Sequence, residues 1–299
     1  MATLYKYLPN LGIKFFEQPT FKISPPSLLN DPFEFSFSSE IKTAYRNYLR
    51  KKLPNSFTVE EEKINHYLNH ALNSIGIISL TETHRSLLMW AHYADEHRGF
   101  CIGVDEDYLD NINNIEPNNN ITPIQNRPIK IKYDTKRFDL DINQPSFSSV
   151  LKALIMNQLT VKSDEWIYEK EYRSIVYFLN HDKIIFKGDI PRDVHIIMEF
   201  MKTIDLDTQD EAEADRSHSA LNIAISALAK NKEVIFLKNI PHEKIKSVYF
   251  GHRFDRHDLR EIIKNAKNED HPLHKAKIYK YKIHPSRFEL TPKLLHSNY

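Results

Sequence analysis

Hydrophobic and polar residues follow two different periods along this chain. Apolar runs or alternations of strand length occur at 4–7, 76–80, 100–104, 129–133, 234–237, 248–250 and 277–283. Apolar residues spaced three or four positions apart, a spacing typical of amphipathic helices, occupy 39–53, 87–93, 149–161 and 255–266. This mixture predicts an α+β fold with flanking helices on a mostly antiparallel central sheet.

Residues 191–230 interrupt the strand pattern. Helical patterns at 194–201 and 220–229 enclose an acidic run formed by Asp205, Asp207, Asp210, Glu211, Glu213 and Asp215. We therefore expect a single α+β domain over 1–299 that carries a helical insertion over 191–230 with a solvated acidic turn. The segment 205–215 could dock a basic protein partner.

Two further stretches have local signals. Residues 19–32 are rich in proline and serine, which predicts a loop. Residues 172–179 and 183–186 have the composition of strands separated by a short turn, which predicts a hairpin.

Composition narrows the class of protein. The 299 residues carry 41 lysines and arginines against 40 aspartates and glutamates, and a net charge of +1 argues against a general nucleic-acid binder. A single cysteine, Cys101, allows no internal disulfide and favours a cytoplasmic setting.

No apolar run approaches the ~20 residues of a membrane helix, so no membrane association is expected. With six glycines and no glycine-rich fingerprint, a Rossmann turn or a P-loop is not predicted.

Three short patches mix aromatic residues with charges and histidines: 30–34, 90–105 and 168–173. An unpaired charge costs several kcal/mol to bury, so such patches mark either a paired polar network or a functional site. In the first patch, Asn30 and Asp31 are good turn formers ahead of Pro32. This patch is either a turn capped by Asp31 or a loop that holds a carboxylate at the rim of a cleft.

The second patch predicts a helix that Ser86 caps. Trp90 and Tyr93 lie on one face of it, with Trp90 suited to the core and Tyr93 to stacking on a planar ligand. His92 and Glu96 are spaced to share a metal or a proton, but no third ligand stands at a metal-site spacing, so no structural metal is expected.

The third patch predicts the start of a strand. Period-two alternation places Glu169, Glu171 and Arg173 on one face. That face is either a surface ladder of ion pairs or part of a cleft, where Glu169 or Glu171 would be a hydrogen-bonding or general-base carboxylate.

These motifs resemble a bacterial family that is labelled a domain of unknown function. The shared patterns are a Leu-Tyr-(His or Lys)-Tyr strand, an Asn-Asp-Pro-Phe-Glu loop, a Met-Trp-Ala-His-Tyr-Ala block ending in Gly-Phe-Cys-Ile-Gly, a Tyr-Glu-Lys-Glu-Tyr-Arg strand and a late Val-x-Phe-Gly. Here they stand at 4–7, 30–34, 89–103, 168–173 and 248–251.

The order of elements also resembles the ADP-ribosyltransferase fold. In the branch of poly-ADP-ribose polymerases and RNA 2′-phosphotransferases, a first-strand histidine holds the NAD ribose, a tyrosine stacks on nicotinamide and a strand glutamate stabilises the transition state. The resemblance places Lys6 at the histidine position, Tyr93 at the tyrosine and Glu171 at the glutamate. Lysine has donors but no acceptor, so Lys6 is better suited to a phosphate.

Three functions follow as hypotheses. The first is an NAD-utilising ADP-ribosyltransferase-like effector of a bacterial toxin or phage-defence setting, with NAD as substrate and a nucleic acid or protein as acceptor. Its catalytic residues would be Glu171, Tyr93 and Lys6, and its NAD contacts Lys6, Tyr7, His92, Tyr93 and Arg173. The second is a metal-dependent nuclease or hydrolase using Asp31, Glu34, Glu169 and Glu171. The third is a non-catalytic binding module of a defence complex.

Overall fold

The computed structural model describes residues 2–52, 61–110, 123–138, 146–204 and 211–297. The strands are β1 (Thr3–Leu8), β2 (Thr20–Ile23), β3 (Ile75–Thr81), β4 (Phe100–Asp105), β5 (Gln125–Lys130), β6 (Lys132–Asp134), β7 (Val161–Ser163), β8 (Glu171–Tyr177), β9 (Lys183–Phe186), β10 (Val234–Asn239), β11 (Ile245–Phe250), β12 (Lys277–Ile283) and β13 (Leu290–His296). The helices are α1 (Ser39–Lys52), α2 (Glu61–Asn73), α3 (Leu87–Tyr93), α4 (Phe147–Thr160), α5 (Arg192–Lys202), α6 (Glu211–Ala229) and α7 (Arg256–Asn265).

A large sheet with strand order β13-β12-β11-β4-β1-β3-β8-β5 organises the molecule. Its neighbouring strands are antiparallel except for β11 and β12, which are parallel. The predicted mixed fold with a mostly antiparallel central sheet is therefore confirmed.

The two faces of this sheet are covered differently. One face packs along its length against the smaller sheet β2-β10-β9 and against α6 and α7, which forms the largest apolar core. On the other face, α1, α2 and α4 cover the part formed by β3 and β8. Helix α3 covers part of the half formed by β1, β4 and β11 through Met89 and Trp90. This second face is thus divided into two halves, with a gap between their helices.

The gap lies above a fork in the sheet. Strand β1 pairs with β4 over six residue pairs, but with β3 only at Tyr5 and Thr81. Further along β3, the amide and carbonyl of Ile77 pair instead with Ser24, just beyond β2. The carbonyl of Ser79, between these two points, accepts the Lys6 ammonium at 2.7 Å. The edge of β3 therefore passes from β1 to the end of β2, which opens a cleft between them.

Helices α5 and α6 occupy the region predicted as a helical insertion. They contact each other, and Val194, Ile225 and Leu228 are buried in the largest core. The acidic turn lies outside the described residues at 205–210, and the side chains of 211–218 are also outside the description.

Several local predictions need correction. The stretch 19–32 contains β2, whose Phe21 and Ile23 are fully buried, so it is not a continuous loop. The hairpin over 172–186 is wrong, because β8 lies in the large sheet and β9 pairs with β10 in the small one. The buried 3₁₀ turn Phe178–Asn180 carries the chain from one sheet to the other. Strand β13 was not predicted, since Pro292 interrupts its pattern, but proline is tolerated on an edge strand.

The turn after β11 packs against the loop that follows α3. Asp95, Glu96 and His97 all adopt left-handed backbone conformations, and the His97 carbonyl accepts the Arg253 amide at 3.1 Å. A Cβ atom on Gly251 would stand 2.1 Å from that same carbonyl oxygen.

We therefore expect Gly251→Ala to lower the free energy of unfolding by about 2–3 kcal/mol, because the backbone at His97 would have to move. Urea denaturation measures this change. Gly188→Ala is the control: Gly188 has a left-handed backbone but open space around it, so only the conformational cost of about 1 kcal/mol applies. Equal losses in the two variants would contradict this expectation, because the close approach at Gly251 would then cost no more than an unfavourable backbone conformation.

Candidate functional site

The cleft above the fork has a volume of about 290 Å³. Its walls come from β1, from the loop after β2, from β3, from α3 and from the segment that leads into β8. Its lining includes Tyr5, Lys6, Tyr7, Lys22, Asn30, Glu34, Ser79, Tyr93, Lys162, Glu169, Glu171 and Arg173. Residues that are far apart in the sequence therefore meet in one concave site.

A buried pair formed by Glu171 and Arg173 stands at one end of the cleft. Both project from β8 on the same side, as period-two alternation predicts. Arg173 donates from Nε to Glu171 Oε1 and from Nη2 to Oε2, both at 2.8 Å. It also donates from Nη1 to the Leu159 carbonyl at 2.9 Å. This bidentate geometry fixes the orientation of the carboxylate.

Lys162 of β7 connects this pair to two further carboxylates. Its Nζ lies 2.7 Å from Glu169 Oε2, 3.3 Å from Glu171 Oε2 and 3.6 Å from Glu34 Oε1. Glu34 also accepts a short hydrogen bond from Arg173 Nη2. Three carboxylates thus surround two cations, and all five side chains are at most 7% exposed. We call Glu34, Lys162, Glu169, Glu171 and Arg173 the charge cluster.

The side chains of the charge cluster shift one another's pKa values. Burial alone would raise the pKa of Glu171, but Arg173 and Lys162 outweigh it and lower that pKa to about 2. Burial would lower the pKa of Lys162 and of Arg173, yet the surrounding carboxylates raise both above their usual values. At Glu34 burial prevails and raises the pKa. Glu171 is therefore ionised at neutral pH.

Tyr93 joins the charge cluster to the rim of the cleft. It ends α3, a helix whose first turn is capped by the Ser86 hydroxyl accepting the Met89 amide. The Tyr93 hydroxyl donates to Glu169 Oε1 at 2.5 Å and accepts from Asn30 Nδ2 at 3.2 Å. Burial, followed by the hydrogen bond to Glu169, raises the pKa of Tyr93. Tyr93 is thus a neutral phenol held in place, with its ring beside the cleft.

Lys6 approaches the cleft through the fork. Its Nζ donates to the Ser79 carbonyl and lies 5.7 Å from the centre of the Phe21 ring. Burial lowers the pKa of Lys6 to about 8, although the Glu171 carboxylate acts in the opposite direction. Lys22, which also lines the cleft, has a pKa lowered by burial and by Lys187. Two lysines therefore face the same space as the charge cluster.

The structure brings most of the predicted site residues together. Lys6, Tyr7, Tyr93, Glu171 and Arg173 all line the cleft. The predicted ligand contact His92 does not: it is exposed, with its ring 6.4 Å from those of Tyr93 and Tyr168.

The four carboxylates of the predicted metal site do not all meet. Asp31 is buried outside this cleft and caps the Phe33 amide at 2.9 Å, which is the turn role predicted for it. Glu34, Glu169 and Glu171 converge instead on Lys162. The ammonium of Lys162 occupies the centre that a metal ion would need, so this arrangement does not fit a metal site.

Elsewhere among the described residues, one group has the spacing of metal ligands: Asp255, His257 and Asp258. Asp255 accepts the amides of His257 and Asp258 as the N-cap of α7, and all three residues lie at the surface or partly exposed. This is an ordinary helix cap. None of the described helices is long and apolar enough to cross a membrane.

Among the aromatic and charged residues that line the cleft, sequence reasoning missed three: Tyr5, Lys22 and Lys162. Tyr5 lies in the predicted first strand and Lys22 lies in the stretch predicted as a loop. No sequence motif marks either residue as part of a site. Lys162 follows α4 directly and looks like a surface lysine in the sequence. A weak signal was available for it, since two acidic residues at 169 and 171 exceed the single arginine at 173 and require another cation if they are buried.

Comparisons with known proteins identify a family model that matches part of this chain. No curated protein and no solved structure is significantly similar to this chain. The predicted likeness to a family of unknown function is confirmed over part of the chain, whereas the relation to ADP-ribosyltransferases stays a prediction. The matching segment contains α3 from Met89 onward, Lys162 and the pair Glu171–Arg173, and leaves out β1 and the loop at 30–34. Residues 89–174 match the model of the family described as "Protein of unknown function (DUF2971)".

Proposed function

We propose that this protein is an ADP-ribosyltransferase-like enzyme that uses NAD as its substrate and serves as an effector in a bacterial toxin or phage-defence setting. The observation that carries the proposal is that Lys6, Tyr93 and Glu171 line one cleft although they come from three separate elements. These are the positions to which the sequence resemblance assigns the ribose, nicotinamide and transition-state contacts. The bacterial setting is inferred from the sequence resemblance.

In the proposed reaction, the bond between C1′ of the ribose and the ring nitrogen of nicotinamide breaks. Its electron pair leaves with nicotinamide. An oxygen or nitrogen of the acceptor then bonds to C1′ and releases a proton. Positive charge develops on the ribose as the bond breaks, as in glycoside hydrolysis, and a fixed negative charge beside C1′ lowers the barrier.

The charge cluster supports this chemistry. Glu171 is ionised at neutral pH, because its pKa is about 2. Glu171 shares its two cations, Arg173 and Lys162, with Glu34 and Glu169, so three carboxyl groups face two cations in the charge cluster. The two hydrogen bonds from Arg173 hold the Glu171 carboxylate in a fixed orientation. The carboxylate therefore needs little reorganisation when the ribose becomes cationic.

The remaining walls suit the other parts of the nucleotide. Tyr93 offers aromatic surface to the nicotinamide ring, and Lys6 and Lys22 offer positive charge to the phosphates. A cleft of about 290 Å³ lies at the lower limit for ligand pockets. We therefore expect it to enclose the nicotinamide riboside half, with the adenosine half outside.

Release of nicotinamide from NAD tests the proposal. The purified protein is incubated with nicotinamide-labelled NAD in water alone and with protein, RNA or DNA acceptors. We expect labelled nicotinamide to be released with at least one acceptor, and equally with EDTA present, because Lys162 rather than a metal sits among the carboxylates. Absence of release under all these conditions would overturn the proposal, and release that EDTA abolishes would favour the metal-dependent hydrolase.

Nucleotide affinity should depend on pH through Lys6. The Lys6 ammonium is protonated below a pKa of about 8 and neutral above it, so its attraction for phosphate falls as the pH rises. Between pH 7 and pH 9 we expect the Kd of ADP-ribose to rise about five- to tenfold. Isothermal titration calorimetry measures this, with Lys6→Met as the variant that should bind weakly and without that pH dependence. The same pH profile in Lys6→Met would assign the effect to another group.

A further inference from the structure

A second surface lies beside the cleft, on the open part of the sheet face that α3 leaves uncovered. It is a shallow groove of about 600 Å³ across β1, β11 and β12. Gly103 of β4 lies between two of the lining side chains: a Cβ atom there would lie 2.5 Å from Ser247 Oγ and 2.9 Å from the Tyr5 ring. Tyr5, Tyr249 and Tyr279 line this groove, and we call them the aromatic platform.

The rings of the platform are held in an ordered stack. His84 stacks on Tyr249 with centroids 3.9 Å apart and planes 13° apart. Tyr249 stacks on Tyr279 at 4.7 Å and 6°. Tyr5 stands edge-on to Tyr249 at 6.0 Å. These spacings are those of stacked planar rings, and Tyr5 and Tyr279 remain partly exposed.

Positive charge is concentrated around the platform. Lys246, Lys275 and Lys277 line the groove together with His274, against one acidic lining residue, Glu243. Lys275 is exposed, whereas Lys246 pairs with Asp105 at 2.8 Å. The segment 241–297, which supplies most of this surface, has 13 lysines and arginines against seven aspartates and glutamates, although the whole chain is nearly neutral. The near-neutral total therefore conceals a basic region.

We propose that the aromatic platform binds single-stranded nucleic acid, with bases stacked on Tyr279 and Tyr5 and phosphates near Lys275 and Lys277. Stacking rings inside a basic groove are the combination that binds single strands with little sequence preference. A double helix would hide its base faces from these rings. An acidic protein would satisfy the lysines but would leave the ring stack without a role.

The platform also indicates what the cleft modifies. Tyr5 lines both the platform and the cleft, so a strand lying on the platform would have a base or a terminal phosphate at the entrance of the cleft. We infer that single-stranded nucleic acid is the acceptor, a step that rests on the proposed function. An oxygen or ring nitrogen of the strand would then bond to C1′ and release its proton.

Binding is tested without NAD, so that its outcome is independent of the proposed reaction. Fluorescence anisotropy is measured with labelled single-stranded DNA and RNA of about 12 nucleotides. The controls are the corresponding duplex and an abasic DNA strand of equal charge. We expect both single strands to bind more tightly than the duplex and the abasic strand, and to bind less tightly as salt is added. Stronger binding of DNA or of RNA identifies the preferred strand.

Two variants locate the site. Tyr279→Leu and Lys275→Glu should each weaken single-strand binding about tenfold, whereas Lys152→Glu, the same charge reversal on the exposed side of α4, should not. Lys275 is exposed, so its replacement leaves folding intact. Glu171→Gln should retain binding even if it abolishes turnover.

Several results would overturn the proposal. No measurable binding of either single strand would do so, as would equal binding of the abasic strand, because stacking would then have no part. Equal weakening by Lys152→Glu would place the interaction elsewhere. Displacement of the oligonucleotides by polyglutamate at equal charge concentration would point to an acidic protein instead.

Discussion

Replacement of Arg173 by methionine is expected to lower the free energy of unfolding by about 3–5 kcal/mol. Arg173 is 1% exposed and is the bidentate partner of Glu171, and it also contacts Glu34 and the Leu159 carbonyl. Its loss would leave the three carboxylates of the charge cluster with Lys162 as the one cation of that cluster. Breaking a buried ion pair by removing one partner costs several kcal/mol, because the charge that remains is poorly solvated.

Urea denaturation followed by circular dichroism measures this loss. Arg127→Met is the matched control, since Arg127 also pairs with an aspartate, Asp110, but is 64% exposed. Exposed pairs contribute little to stability, so that variant should unfold like the wild type. If Arg173→Met and Arg127→Met unfolded at the same urea concentration, the charge cluster would not be part of what holds the fold together.

The second large effect is expected from Glu171→Gln. Glutamine has the same shape but no charge, so the developing cation on the ribose would lose its fixed partner. We expect NAD cleavage to fall about 100-fold or more, which is the usual size of losing one preorganised electrostatic contact. The change should appear in kcat more than in KM, because the positive charge moves from the nicotinamide ring onto the ribose only as the bond breaks.

Turnover is measured only on variants that fold, as judged by circular dichroism. Glu82→Gln is the control: Glu82 pairs with Lys130 and Lys170 at the surface near the start of the same strand and lies outside the cleft. It should retain wild-type turnover. Unchanged turnover in Glu171→Gln would remove Glu171 from the proposed mechanism, and Glu169 would be the next carboxylate to test because it accepts the Tyr93 hydroxyl.

Local sequence patterns predicted much of the fold. The predicted cap at Ser86 starts α3, and Asp255 caps α7. Ile41, Tyr45 and Tyr48 of α1 are buried on one face, as their spacing indicates. These features depend on neighbours within a few residues, so a single sequence is sufficient to find them.

The site was predicted only in part, for a physical reason. Period-two alternation placed Glu171 and Arg173 on one side of a strand, and they do meet. Whether that side faced solvent or a cleft depended on contacts across the chain. Lys162 reaches the charge cluster only because α4 ends at Thr160 and β7 then runs beside β6. Glu34 is 139 residues from the arginine it contacts, and no local pattern carries that information.

The fork between β1 and β3 is the place where the large sheet has the fewest backbone hydrogen bonds between neighbouring strands. The ladder of backbone hydrogen bonds that makes a sheet stiff is reduced there to a single residue pair, Tyr5 and Thr81. A small rotation of one half of the sheet against the other about that pair would widen or narrow the cleft while the ladder between β1 and β4 stays intact. Across the fork, the Lys6 contact with the Ser79 carbonyl is a side-chain link between β1 and β3. A ligand that draws Lys6 away from that carbonyl would remove this link and leave the Tyr5–Thr81 pair as the backbone connection there.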